Sequence, residues 1–155
     1  MNVDVINAFS ESSIHVLKIM AFMDATAGKP FLKKDKLAFG DVSGIIIFSG
    51  SMTGSLALSF SETCILKIVS NMLGEEIDSI NHMVQDTAAE LTNIISGDAR
   101  KRMQNKGLTV TADIPSVVSG KGHEIKHALD GPSIIIPFNT AFGSFAVDVN
   151  IKQKK

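Results

Sequence analysis

A chain of 155 residues, 45% hydrophobic and 20% charged, has the size and composition of one compact unit, so a single domain over residues 1–155 is expected. Fifteen Lys and Arg against 16 Asp and Glu leave a formal net charge of −1, which excludes nucleic-acid binding driven by excess positive charge. The lone Cys64 excludes an internal disulfide and a thiolate-only zinc site, and the absence of Trp and Tyr leaves little with which to stack bases.

Asp4, Asn7, Glu11 and His15 interrupt the N-terminal apolar residues, unlike a signal peptide, and no run approaches the ~18 apolar residues of a membrane span. A soluble cytoplasmic protein is therefore expected, with neither nucleic acid nor membrane as partner. Val5, Phe9, Val16 and Met20 recur at helical spacing, which predicts a first helix from Val3 to about Met23, ended by Gly28 and Pro30. Phe31 to Lys36 reads as a short edge strand whose lysines discourage further pairing. The Ile-rich segment Val42 to Phe48 reads as a buried strand, Gly50 to Gly54 as a turn, and Leu56, Leu58 and Phe60 as one face of its hairpin partner.

Ser61 is placed to cap a second helix that runs to Leu73 and stops at Gly74, with Ile65, Ile68, Val69 and Met72 inward. A third helix is expected from about Ile80 to Asn105, closed by Gly107. The last third reads as strands. Leu108 to Ala112, Glu124 to Leu129, Ser133 to Phe138 and Phe145 to Ile151 are separated by segments rich in Gly, Pro and Asn. The fold class this implies is α+β, a mostly antiparallel sheet packed against long helices.

The third helix carries the strongest chemical signal. At 100° per residue Val84, Ala88, Leu91 and Ile95 form an apolar seam, and Asp86, Glu90, Asn93 and Gly97 form a stripe on the opposite side. A solvated face is usually built from Lys and Glu; this one has short acids, an amide and a mid-helix glycine. Such a glycine costs about 1 kcal/mol against Ala and lets another backbone approach closely. Arg100, Lys101 and Arg102 follow at the helix end, where they complement the helix dipole or steer an acidic partner.

Asp86-x-x-x-Glu90-x-x-Asn93, followed by Ile94-Ile95-Ser96-Gly97-Asp98-Ala99, resembles the signature of the CheC/CheX/FliY phosphatases of bacterial chemotaxis. Asp41-Val42-Ser43-Gly44-Ile45, Met72-Leu73-Gly74-Glu75-Glu76, Ile114 to Gly120 and Ile136-Pro137-Phe138 extend the resemblance over most of the chain. CheC-type members carry two such motifs, whereas here Ile14 stands three residues after Glu11 where the second Asn would be, so the CheX type is implied, with a homodimer joined through its sheets. The resemblance implies hydrolysis of the aspartyl phosphate of a response regulator, phospho-CheY. Asn93 would orient the attacking water and Glu90 would pair with the receiver's active-site Lys, while Asp86 completes the motif either as helix-surface support or as a partner contact. Gly97, Arg100 and Lys101 are candidate partner contacts on the strength of the stripe and the basic run themselves. The resemblance implies no cofactor of the chain's own, the Mg²⁺ belonging to the receiver. The competing class is a non-catalytic receiver-binding module of the chemotaxis or flagellar switch system; the presence of both Glu90 and Asn93 favours catalysis.

His123-Glu124-Ile125-Lys126-His127 matches the H-E-x-x-H pattern of zinc hydrolases, which requires a helix. Gly120, Gly122 and Gly131-Pro132 frame the segment against one, and in a strand the two His stand about 13 Å apart, too far to share an ion. No metal ligands are therefore assigned. Cys64, without a neighbouring His in sequence, reads as a small buried hydrophobe.

Overall fold

The computed structural model describes residues 3–153. Among these, three helices and eight strands follow the order α1 (Val3–Ala21), β1 (Thr26–Ala27), β2 (Phe31–Lys33), β3 (Val42–Gly50), β4 (Met52–Phe60), α2 (Glu62–Leu73), α3 (His82–Gln104), β5 (Val110–Ala112), β6 (Ser116–Ser119), β7 (Ser133–Thr140) and β8 (Gly143–Gln153). The strands form one antiparallel sheet in the order β1-β7-β8-β4-β3-β5, with β2 also on β7 and β6 also on β3. The α+β class expected from the sequence is the architecture found.

Register and pleat divide the sheet into two faces. Val42, Gly44, Ile46 and Phe48 align with Phe60, Leu58, Leu56 and Gly54, and these continue into Phe145, Val147, Val149 and Ile151. All three helices pack on this face, and Phe9, Leu17, Ile65, Ile68, Leu91 and Ile95 are fully buried against it. Phe60, Phe145 and Phe138 stack in a row across neighbouring strands. The second face carries Ser43, Ser55, Ser59, Ala146, Asp148 and Asn150, also buried. An irregular segment, residues 120–132, covers it with Ile125, His123 and His127.

Several boundaries differ from the sequence reading, each for a local reason. α1 stops at Ala21 because Phe22 takes a left-handed conformation (φ 54°) and the Met23 N–H turns back to the Leu17 carbonyl at 3.3 Å. The β3–β4 turn occupies Ser51 alone, and Gly54 lies inside β4 opposite Phe48. α3 begins at His82 because the Asn81 side chain caps it, accepting from the Val84 N–H. Glu124 to Leu129 forms no strand. Apart from a bridge between Leu37 and Glu124, its backbone is held by the Lys36 carbonyl, which accepts from Ile125 N–H, and by Ser55 Oγ, which accepts from Ala128 N–H. The second helix follows its expected limits, with Ser61 Oγ accepting from Cys64 N–H and Gly74 in the left-handed conformation.

Candidate active site

α3 is laid against the sheet by its apolar seam. Val84, Ala88, Leu91 and Ile95 are fully buried, and the helix comes so close to β3 that a Cβ on Gly44 would collide with the Thr92 side chain. That close seating turns the opposite stripe outward. Asp86 and Glu90 are exposed and Asn93 is half-buried.

These three residues and Ala89 form one wall of a groove of about 370 Å³. Ala112, Asp113, Ile114 and Pro115, from the β5–β6 connection, form the other wall. The side chains of Glu90 and Asn93 make no hydrogen bond or ion pair with any other described residue. Asp86 is 3.8 Å from His82 Nε2 one turn earlier, an exposed pair that contributes little to stability. The site thus presents an unengaged carboxylate and an unengaged carboxamide one helical turn apart. Such a pair holds a cation with one group and orients a small polar molecule with the other, since an amide both donates and accepts.

Further along the stripe, Gly97, Arg100 and Lys101 line a second, smaller groove with Gln104, Thr109 and Val110. No described carboxylate pairs with Arg100 or Lys101, and Arg100 Nε has no hydrogen-bond partner among the described residues. Arg102 is different. Its guanidinium bonds Asp98 at 2.9 Å and Glu11 of α1 at 3.0 Å, tying the two helices together. Burial alone would raise the Asp98 carboxyl, but the Arg102 hydrogen bond and charge hold it below the usual carboxylate range. Glu11 therefore spends its charge inside the molecule, unlike Glu90.

The two histidines of the H-E-x-x-H match serve separate places on the second sheet face. His123 meets Ser43 Oγ at 2.7 Å and the Gly120 carbonyl, while His127 lies between Ser55 Oγ and Asp148 Oδ1. No group of three His, Cys, Asp or Glu among the described residues is arranged to hold a metal ion. Ser55, His127 and Asp148 have the order of a nucleophilic triad, but Ser55 is fully buried and its oxygen already accepts from Ala128 N–H. Cys64 is fully buried as well, and burial pushes its thiol up to about 11. No described helix is long and apolar enough to cross a membrane.

The residues that sequence reasoning missed are Asp113, Ile114 and Pro115 as the facing wall. Their composition reads as a loop, and although Ile114 and Pro115 fall within the family resemblance, nothing in their spacing says which helix they stand beside.

The family model described as "Chemotaxis phosphatase CheX" matches residues 42–139, a span that contains the whole stripe and its facing wall. The chain belongs to the CheX family. Among relatives, the chain is 28% identical over 127 residues to the CheY-P phosphatase CheX of Thermotoga maritima, covering 81% of this chain and 82% of that one. It superposes with a TM-score of 0.90 and 46% identity on a CheC-like superfamily protein from Shewanella, over 98% and 99% of the two chains. It also matches a chain of the CheX–CheY–BeF₃–Mg²⁺ complex from Borrelia burgdorferi, with a TM-score of 0.81, 26% identity, and 98% and 100% coverage. The family gives the protein its general class, a chemotaxis protein phosphatase.

Proposed function

We propose that the protein hydrolyses the aspartyl phosphate of a CheY-like receiver domain, with Asn93 as the catalytic amide and Glu90 as the docking carboxylate. The observation that carries this reading is the pairing of an exposed Glu90 and a half-buried Asn93 on one outward-facing stripe, neither side chain hydrogen-bonded or ion-paired with another described residue. A side chain kept free beside a groove is available to enter another protein's site.

In the reaction, the Asn93 carboxamide accepts from the attacking water and aligns its oxygen with phosphorus, in line with the aspartyl oxygen. The new O–P bond forms as the aspartyl O–P bond breaks. The water's proton passes to the phosphate, leaving inorganic phosphate and a free aspartate. Phosphoryl transfer of this kind depends on positioning more than on covalent chemistry, which is why a neutral amide suffices. Glu90 pairs with the receiver's lysine and fixes the register in which Asn93 enters. Asp86, Gly97, Arg100 and Lys101 flank this contact, and the magnesium ion belongs to the receiver. The BeF₃ and Mg²⁺ in the Borrelia complex support that division of labour.

The experiment follows the decay of a phosphorylated CheY-type receiver with and without the protein. The preparation's solution mass is measured alongside, and two chains are expected from the homodimer that the family resemblance implies. Asn93→Ala should abolish the acceleration while binding of the beryllofluoride-loaded receiver persists; Glu90→Ala should weaken both. Full activity in Asn93→Ala would remove the amide from the mechanism. Tight receiver binding by the wild type with no acceleration would instead support the non-catalytic module.

A further inference from the structure

β5 and β6 are a single broken strand along β3. Phe48 pairs with Ala112 and Ile45 pairs with Ser116, so two residues of β3 face three residues of the other segment, Asp113, Ile114 and Pro115. This is a one-residue bulge, pinned where Asp113 N–H donates to the Ile47 carbonyl at 3.0 Å and stiffened by Pro115. In an unbroken register Ile114 would stand opposite Ile46, which is fully buried beneath the helices. The inserted residue throws it outward instead. Ile114 is 92% exposed, the highest value among the exposed large hydrophobic residues described, on the wall of the groove facing Glu90 and Asn93.

We propose that Ile114 is the apolar anchor that seats the phosphorylated receiver, making it a specificity-determining residue of the phosphatase. This deepens the function proposed above and rests on it. Bulges recur beside active sites because they re-aim a side chain at the cost of a ladder position. Here the re-aimed side chain is a rigid aliphatic that touches almost nothing in its own fold. Glu90 and Asn93 supply polar contacts, which fix register and chemistry but must first be stripped of water. Covering one aliphatic side chain of this size shifts an association equilibrium roughly ten- to a hundredfold. The complementary surface is an apolar hollow on the receiver beside its acidic phosphorylation pocket. A receiver with a charged residue in that hollow is rejected, which gives discrimination that the shared chemistry of aspartyl phosphate cannot.

The test compares wild type, Ile114→Ala, Ile114→Asp and Ile114→Val. Each is measured for steady-state hydrolysis of a phosphorylated CheY-type receiver and for binding of the same receiver loaded with beryllofluoride and Mg²⁺. Ile114→Ala should raise KM and Kd about tenfold, with kcat and melting temperature close to wild type. Ile114→Asp should raise them further, and Ile114→Val should restore most of the affinity. KM and Kd within twofold of wild type in both Ile114→Ala and Ile114→Asp would overturn the anchor. If the wild type binds the receiver without accelerating hydrolysis, the catalytic reading fails and the binding arm still decides Ile114. If the wild type neither binds nor hydrolyses it, both fail.

Discussion

A Cβ on Gly97 would meet only Arg100 Nη2, at 3.8 Å, so nothing in the molecule's own packing calls for glycine there. Gly44 is the opposite case, since the Thr92 side chain occupies the place its Cβ would take. One glycine is required by the fold; the other costs helix stability with no internal return, and the space it leaves opens onto the candidate interface. Gly97→Ala should therefore raise stability by about 1 kcal/mol, a shift of about 2–4 °C in melting temperature at this chain length. The same variant should lose receiver-stimulated activity, because the added methyl group holds the partner's backbone away. A thermal melt and a phosphate-release assay on one preparation test both halves. A stabilised variant with full activity would take Gly97 out of the interface. That glycine was visible in the sequence because its cost depends on helix periodicity alone. Ile114 was not, because its exposure depends on a bulge, and a bulge exists only relative to the strand it fails to match.

At the scale of elements, periodicity located what local geometry decides and missed what a distant partner decides. The seam of α3 at Val84, Ala88, Leu91 and Ile95 is buried as its spacing required, so the candidate stripe opposite it was legible too. Glu124 to Leu129 alternates like a strand, yet the backbone groups at Ile125 and Ala128 are taken by Lys36 and Ser55. Alternation reports which side chains point inward, not which chain receives the hydrogen bonds. What fastens this segment is a buried polar cluster. His127 Nε2 lies 2.8 Å from Asp148 Oδ1 and Lys33 Nζ lies 2.7 Å from Asp148 Oδ2, with the Asp148 side chain fully buried. Desolvation alone would raise the Asp148 carboxyl. The His127 hydrogen bond and the Lys33 ion pair outweigh it and hold the group below its ordinary value of 3.8. A carboxyl depressed in the folded state contributes stability that is fully present above the unfolded value and is lost as pH falls through the folded one. Asp148→Asn should cost about 3–5 kcal/mol at pH 7, because it leaves the mostly buried Lys33 cation without its carboxylate, with only the Leu37 carbonyl to accept from it. It should also flatten the remaining acid dependence below about pH 4. Urea titrations of both proteins between neutral and acid pH measure this. An unchanged midpoint at neutral pH would mean that the cluster does not fasten the segment.

For the molecule as a whole, the near-zero net charge conceals an ordered separation. Asp86, Glu90 and Asp113 surround one groove, while Arg100 and Lys101 line the next along the same helix. Asp86 and Lys101 are 15 positions apart, about 22 Å along the axis. That exceeds the screening length of about 8 Å at physiological ionic strength, so the two ends do not cancel for a partner arriving at the surface. Arg102 contributes little to this field, because Asp98 and Glu11 already neutralise it. Under the function proposed above, Arg100 and Lys101 would draw the receiver's acidic surface while Glu90 meets its lysine, which would orient the encounter before contact. The double variant Arg100→Glu with Lys101→Glu should slow receiver association about tenfold or more at low salt, and added salt should close the gap to wild type. Its melting temperature should stay near that of the parent, since neither cation has a described ion-pair partner to lose. Arg102→Glu should do the reverse, lowering stability through the α1–α3 tie while leaving the salt dependence of association intact. Stopped-flow association across a salt series separates the two. Equal salt dependence in the double variant and wild type would reduce the basic run to a helix-end complement to the dipole.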